Sequence, residues 1–148
     1  MSGGYFDVYV LARQRSADAA IEFLDHFAPI REQLDGDYSF PQYSGTSEVV
    51  FDKPMDAIHY CEKHPAESQS LYFQNLRSGP VHAMIFFTSD GEMIFGLSVP
   101  EGDDGLEKDC LNQLKEFART SIGYIDFEAP PPDTAAEFKV LAATRVWD

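Results

Sequence analysis

At 148 residues, 44% of them apolar and including 12 Phe and 7 Tyr, the chain can bury roughly 70% of its unfolded surface in one core, which excludes a disordered chain and removes any need for a metal or disulfide staple. Acids outnumber bases 25 to 11, giving a formal net charge of −14 and a pI of about 4.4, so clustered cations for a phosphate backbone or an anionic membrane are not expected. A basic protein partner suits this charge, because the summed field steers and selects oppositely charged surfaces.

The amino terminus, MSGGYFDVYVLARQRS, has no basic segment leading into a long apolar one, and no stretch reaches the ~20 apolar residues of a membrane span. A soluble, cytoplasmic protein is the expectation. Tyr5 to Ala12, rich in aromatic and β-branched residues, predicts a first strand buried on both faces. Ser16 then caps a helix whose apolar stripe is Ala20, Ile21, Leu24, Phe27 and Ala28, with Asp18 at the positive end of the dipole. Residues 32 to 46, dense in Asp, Gly, Pro and Ser, read as one long irregular connection.

EVVFD predicts a short strand and KPMDAIHYCEKHP a second helix, opened by Pro54 and closed before Pro65. SLYFQNL is a third strand, and Val81 to Thr88, whose one ionisable residue is His82, a fourth that belongs in the middle of a sheet. Ser89-Asp90-Gly91 joins it to a fifth strand, Met93 to Val99. Asp-Gly between two apolar runs is a hairpin signal, because the turn needs the positive φ that Gly adopts freely. A phosphate loop would need more glycines and a following helix, and a calcium loop further acids at alternate positions.

Residues 101 to 123 read as a third helix capped by Asp103 or Asp104, with Leu106, Cys110, Leu114 and Phe117 inward and Gly123 past its end. YIDFE is a last strand. The Pro-rich segment from residue 129 leads into a short helical appendage with a Thr134/Glu137 capping box. The predicted order is β-α-β-α-β-β-β-α-β in a single α+β domain, residues 1–148: a mixed, mostly antiparallel sheet with helices mainly on one face.

Few residue patterns point to chemistry. His59, Cys61 and His64 lie on one helix, but steps of about 100° per residue send His59 away from the other two, so no metal ligand set is expected. Cys61 and Cys110 read as small buried hydrophobes rather than nucleophiles, and no G-x-S-x-G elbow occurs. The four histidines, at 26, 59, 64 and 82, read as surface or structural imidazoles. Arg13 and Arg15 could hold an anion, with solvated side chains the commoner case. No catalytic residue, cofactor or metal is expected, and the reading leans away from an enzyme.

Acids beside aromatics are the remaining signal. Asp35 and Asp37 precede Tyr38, Phe40 and Tyr43 in the long connection, and Glu101, Asp103, Asp104, Glu107 and Asp109 crowd the third helix's start. Carboxylates pair with Arg and Lys while aromatics supply burial, so these ten residues are the candidate partner-binding set. In size, negative charge, and an α+β pattern with the TSDGEMIFGLSV hairpin and the FEAPPPDT finish, the chain resembles the small acidic immunity proteins that bacteria make against polymorphic toxins. That resemblance implies a non-enzymatic module neutralising a basic toxin, often a nuclease. Two alternatives stand beside it: a small-molecule-binding domain or minor enzyme with a pocket near His82, Tyr72 or Tyr124, and a module that self-associates as a homodimer.

Overall fold

A computed structural model describes residues 4–43, 45–102 and 105–145. The chain runs β1 (Tyr5–Leu11), α1 (Ala17–Phe27), β2 (Arg31–Gln33), β3 (Tyr38–Phe40), β4 (Val49–Phe51), α2 (Pro54–Lys63), β5 (Gln69–Asn75), β6 (His82–Phe87), β7 (Met93–Pro100), α3 (Leu106–Ala118), β8 (Gly123–Phe127) and α4 (Ala135–Thr144). Six strands form one sheet in the order β2-β5-β6-β7-β1-β8, and β3 pairs with β4 in a separate two-stranded ribbon. Every pairing between these strands is antiparallel. The expected α+β domain is what the chain builds.

The period of two along each strand sorts the side chains onto two faces. Val8 and Val10 of β1, Ile85 and Phe87 of β6, Phe95 and Leu97 of β7, and Ile125 of β8 meet α1, α2 and α3 in the main core. Tyr9, Leu11, Met84, Phe86, Ile94 and Tyr124 point the other way, where α4 contributes Ala135 and Phe138. Three helices therefore cover one face and one short helix covers part of the other.

Several local signals act as read. The Ser16 hydroxyl accepts from Ala19 N, and Thr134 Oγ1 accepts from Glu137 N, the two caps expected from sequence. At the hairpin tip Gly91 sits at φ +89, Thr88 N donates to Glu92 O, and the turn reverses the chain. Asp90 is no ligand there. Its carboxylate accepts from Ala135 N (2.8 Å) and Ala136 N (3.1 Å), so the tip of β6–β7 caps α4 from outside its own segment. Burial pushes that carboxyl up, but the bonds from Ala135, Thr88 and Ala136 outweigh it and hold Asp90 below its ordinary range. Cys61 and Cys110 are free and buried, and burial pushes both thiols up to about 12.

Three expectations change. The connection from 32 to 46 is not irregular throughout: β2 adds an edge to β5, and β3 pairs with β4, because Tyr38 and Phe40 alternate with Ser39 and put two aromatics into the core. The start of α3 is marked by Gly105 at φ +71 without a side-chain cap, while Asp103 and Asp104 lie outside the described residues. Arg15, finally, is neither solvated nor an anion holder.

Its guanidinium turns inward over the Phe87 ring, 5.0 Å from the centroid, and donates to five main-chain carbonyls. Nε reaches Cys61 O (3.0 Å), Nη1 reaches Thr88 O (2.7 Å) and Glu92 O (3.1 Å), and Nη2 reaches His64 O (3.0 Å) and Glu67 O (2.8 Å). One side chain thus closes the C-terminus of α2, the loop after it and the mouth of the β6–β7 hairpin. A planar fork with five donors can do this; a lysine ammonium with three cannot. Replacing Arg15 by Met should lower unfolding stability by about 3 kcal/mol, since several part-buried carbonyls lose their donor, and Arg15→Lys should recover only part of it. Urea midpoints measure this; a loss below about 0.5 kcal/mol, as at an ordinary surface position, would contradict the assignment.

Candidate functional site

The part of the sheet that α4 leaves uncovered carries a row of polar residues set by strand register. Gln74 of β5 faces His82 of β6, His82 faces Ser98 of β7, Ser98 faces Asp7 of β1, and Asp7 faces Asp126 of β8. The neighbouring row, Tyr72, Met84, Gly96, Tyr9 and Tyr124, is aromatic apart from its middle. A Cβ on Gly96 would lie 2.8 Å from two ring carbons of Tyr9 and 3.1 Å from the Met84 methyl. Glycine at this place lets the Tyr9 ring lie across the sheet.

Over these rows runs the Ala129–Asp133 segment. Ala129 N donates to Asp7 Oδ2 (3.2 Å), the Tyr9 hydroxyl donates to Ala129 O (2.5 Å), and Ser89 N donates to Asp133 O (3.1 Å), so the prolines stretch from β1 to the hairpin tip. A concavity of about 520 Å³ opens between this strap and residues 34–35. Its size is that of a ligand site. Two smaller hollows continue it past Tyr72 to Tyr43 and along the prolines.

The ionisable lining is one-sided. Asp7, Asp35 and Glu128 border the main recess, Asp37 and Asp133 the adjoining hollows, and His82 is the one basic side chain, with no Lys or Arg among the described residues of the three. Asp7 is 9% exposed and accepts from Ser98 Oγ (2.8 Å) as well as Ala129 N. Burial raises its pKa above the usual carboxylate range, against the pull of those two bonds and of His82 and with a further push from Asp126. Burial likewise raises Asp35, whose Oδ2 accepts from Tyr72 N (3.0 Å), and that bond partly offsets it.

His82 is lowered by burial, with Asp7 drawing it back up. Its ring meets Tyr5 edge-on at 5.6 Å between centroids and makes no hydrogen bond among the described residues. Ser98 gives its proton to a carboxylate rather than to the imidazole, so the trio does not form a nucleophile–base relay. What the arrangement can do is hold positive charge.

The sequence-predicted residues divide accordingly. Asp35, Asp37 and Tyr43, which is 88% exposed, come together on the recess and its extension. Tyr38 and Phe40 do not belong to that surface: each is 1% exposed and packed in the main core. Glu101 and Asp109 are exposed and Glu107 half-buried around the start of α3, and none of them lines the recess. His59 sits 3.9 Å from Glu62, Cys61 is in the core, and His64 stacks on Tyr60, so the HYCEKH segment is dispersed. Asp7, Glu128 and Ser98 were missed, though an acid inside the apolar run YFDVYVL was a usable signal. His82 and Tyr72 line the recess, whereas Tyr124 lies under α4.

No protein-family model, curated protein or solved structure matches the chain. The site therefore stands on its own geometry. Among the described residues no helix is long and apolar enough to cross a membrane, and no three His, Cys, Asp or Glu side chains are grouped to hold a metal ion.

The electrostatics of the row can be read directly. An NMR titration of His82 should give a midpoint below the ordinary ~6.5, and Asp7→Asn should lower it further by removing the charge that favours imidazolium. A midpoint at or above the ordinary value, or one unmoved in the variant, would contradict the coupling of the two groups.

Proposed function

We propose that this chain is a non-enzymatic protein-binding module that receives a basic protein partner on the uncovered face of its sheet. One observation carries the reading: among the described residues, five carboxylates and a single imidazole line the recess and its extensions, without a Lys or Arg. A surface so composed repels acidic proteins and speeds encounter with basic ones. Tyr43 and the exposed edge of the recess supply aromatic area beside those charges.

Neutralisation of a basic toxin, as in an immunity protein, is the specific form we propose for this binding, on the strength of the resemblance in charge, size and α+β pattern. The acidic start of α3, with Glu101, Glu107 and Asp109, then steers from a distance rather than making the central contacts, since charges at a rim act chiefly on association.

The test is affinity capture from the native cell extract with three forms of the chain. Wild type and a control changed on α1, Glu22→Lys, should retain a basic protein at about 0.15 M salt, and Asp37→Lys with Tyr43→Ala should lose it by about tenfold or more. Retention should also fall as salt rises. Equal retention by all three forms, or capture of no basic protein, would overturn the proposal.

A further inference from the structure

A buried carboxylate in a folded protein is ordinarily paired with a cation, and Asp7, the buried acid of the recess, is not, while Asp35 beside it is half-buried and Glu128 exposed. Among the described residues the ion pairs of Arg and Lys are Arg31–Asp25, Lys139–Glu92 and Arg145–Asp126, none of which involves Asp7, Asp35 or Glu128. Asp7 is nine-tenths buried, lines a cavity of about 520 Å³, and has two neutral donors but no cation. Folding has thus left a negative charge in a desolvated place with its counter-charge missing.

The three carboxylates are also fixed in position. Each is anchored by a main-chain N–H: Asp7 by Ala129, Asp35 by Tyr72, and Glu128 by Tyr5 (3.1 Å). Glu128 is held there at φ +50, a backbone conformation that a non-glycine residue adopts at a cost, and its N–H returns a bond to Tyr5 O. An anchored carboxylate keeps acceptor capacity for a second donor and loses little freedom on binding one. Tyr5, Tyr9 and Tyr72 line the same recess.

Carboxylates around aromatic walls are the chemistry that recognises an organic cation. We infer that the recess over Asp7, Asp35 and Glu128 is the receptor for an arginine side chain of the basic partner, the guanidinium pairing with the carboxylates while its plane lies against the tyrosine rings. A guanidinium suits the place better than an ammonium because its planar fork can donate to two carboxylates at once and stacks on aromatic faces with little hydration to lose. This inference rests on the basic-partner reading and narrows it from a charged surface to one residue type in one cavity.

The probe is N-acetyl-arginine methylamide, followed by amide NMR of the intact chain, with the neutral citrulline analogue as control and propylguanidinium as a guanidinium of the same charge without peptide. Capped arginine should shift the resonances of Tyr72, His82, Ser98 and Ala129, and citrulline should not. Asp35→Asn with Glu128→Gln, which keeps an acceptor for the Tyr72 and Tyr5 amides, should weaken binding about tenfold while leaving the melting temperature close to wild type. No shift at saturating capped arginine, or equal shifts with citrulline, overturns the receptor. Propylguanidinium binding much more tightly than capped arginine overturns the side-chain source in favour of a free small cation. If capped arginine fails while the Asp37/Tyr43 variant still loses its basic protein, the receptor falls and the binding reading stands; if both fail, both fall.

Discussion

The guanidinium of Arg15 is the interaction on which the rest of this structure leans. Its five acceptors belong to α2, to the loop leaving it, and to the turn that joins β6 to β7, segments separated by 46 to 77 residues from the arginine itself. A cation at the C-terminus of α2 also opposes the negative end of that helix's dipole. On the same side, Glu62 of α2 accepts from Ala17 N at the start of α1, so the two helices are tied at their ends as well as through their apolar faces. The hairpin fixed in this way then presents Asp90 to α4. One half-buried cation and one exposed carboxylate thus set the position of elements on opposite faces of the sheet.

That hierarchy explains why the open face is shaped as it is. The helix docked by Asp90 covers Leu11, Ile94 and Tyr124 and stops there, while the proline strap reaches only from β1 to the hairpin tip. Beyond them the sheet is neither a bare edge nor a sealed core. Residues that would have been buried apolar positions under a longer helix are instead Asp7, Ser98 and His82, aligned by register across β1, β7 and β6. Polar side chains in a row across three central strands give up core packing, and the recess they border is what the molecule has in exchange.

Local chemistry was readable from the chain and remote chemistry was not. Ser16, Thr134, Pro54 and Gly91 each act within four residues of themselves, through a cap, a first turn or a reversal, and a linear pattern suffices for them. Arg15 looked solvated because a charge after a strand usually is, and its five acceptors share no spacing that a sequence shows. Tyr38 and Phe40 looked like a contact surface because acids beside aromatics read alike whether the rings face outward or inward; their alternation with Ser39 was the sign of a strand that buries both. The site suffered most. Asp7, His82, Ser98 and Asp35 come from four distant segments, and only strand order and register, which no propensity encodes, bring them to one cavity.

On the proposed reading, positive charge is received on the recess and not on the acidic start of α3. Amide hydrogen exchange along the whole chain, with and without a saturating arginine-rich peptide, separates these directly. Added protection at residues 34–37, at Tyr72 and His82, and at 128–130 is the predicted result. Protection confined to residues 101–109, with the sheet face exchanging as in the free chain, would contradict it.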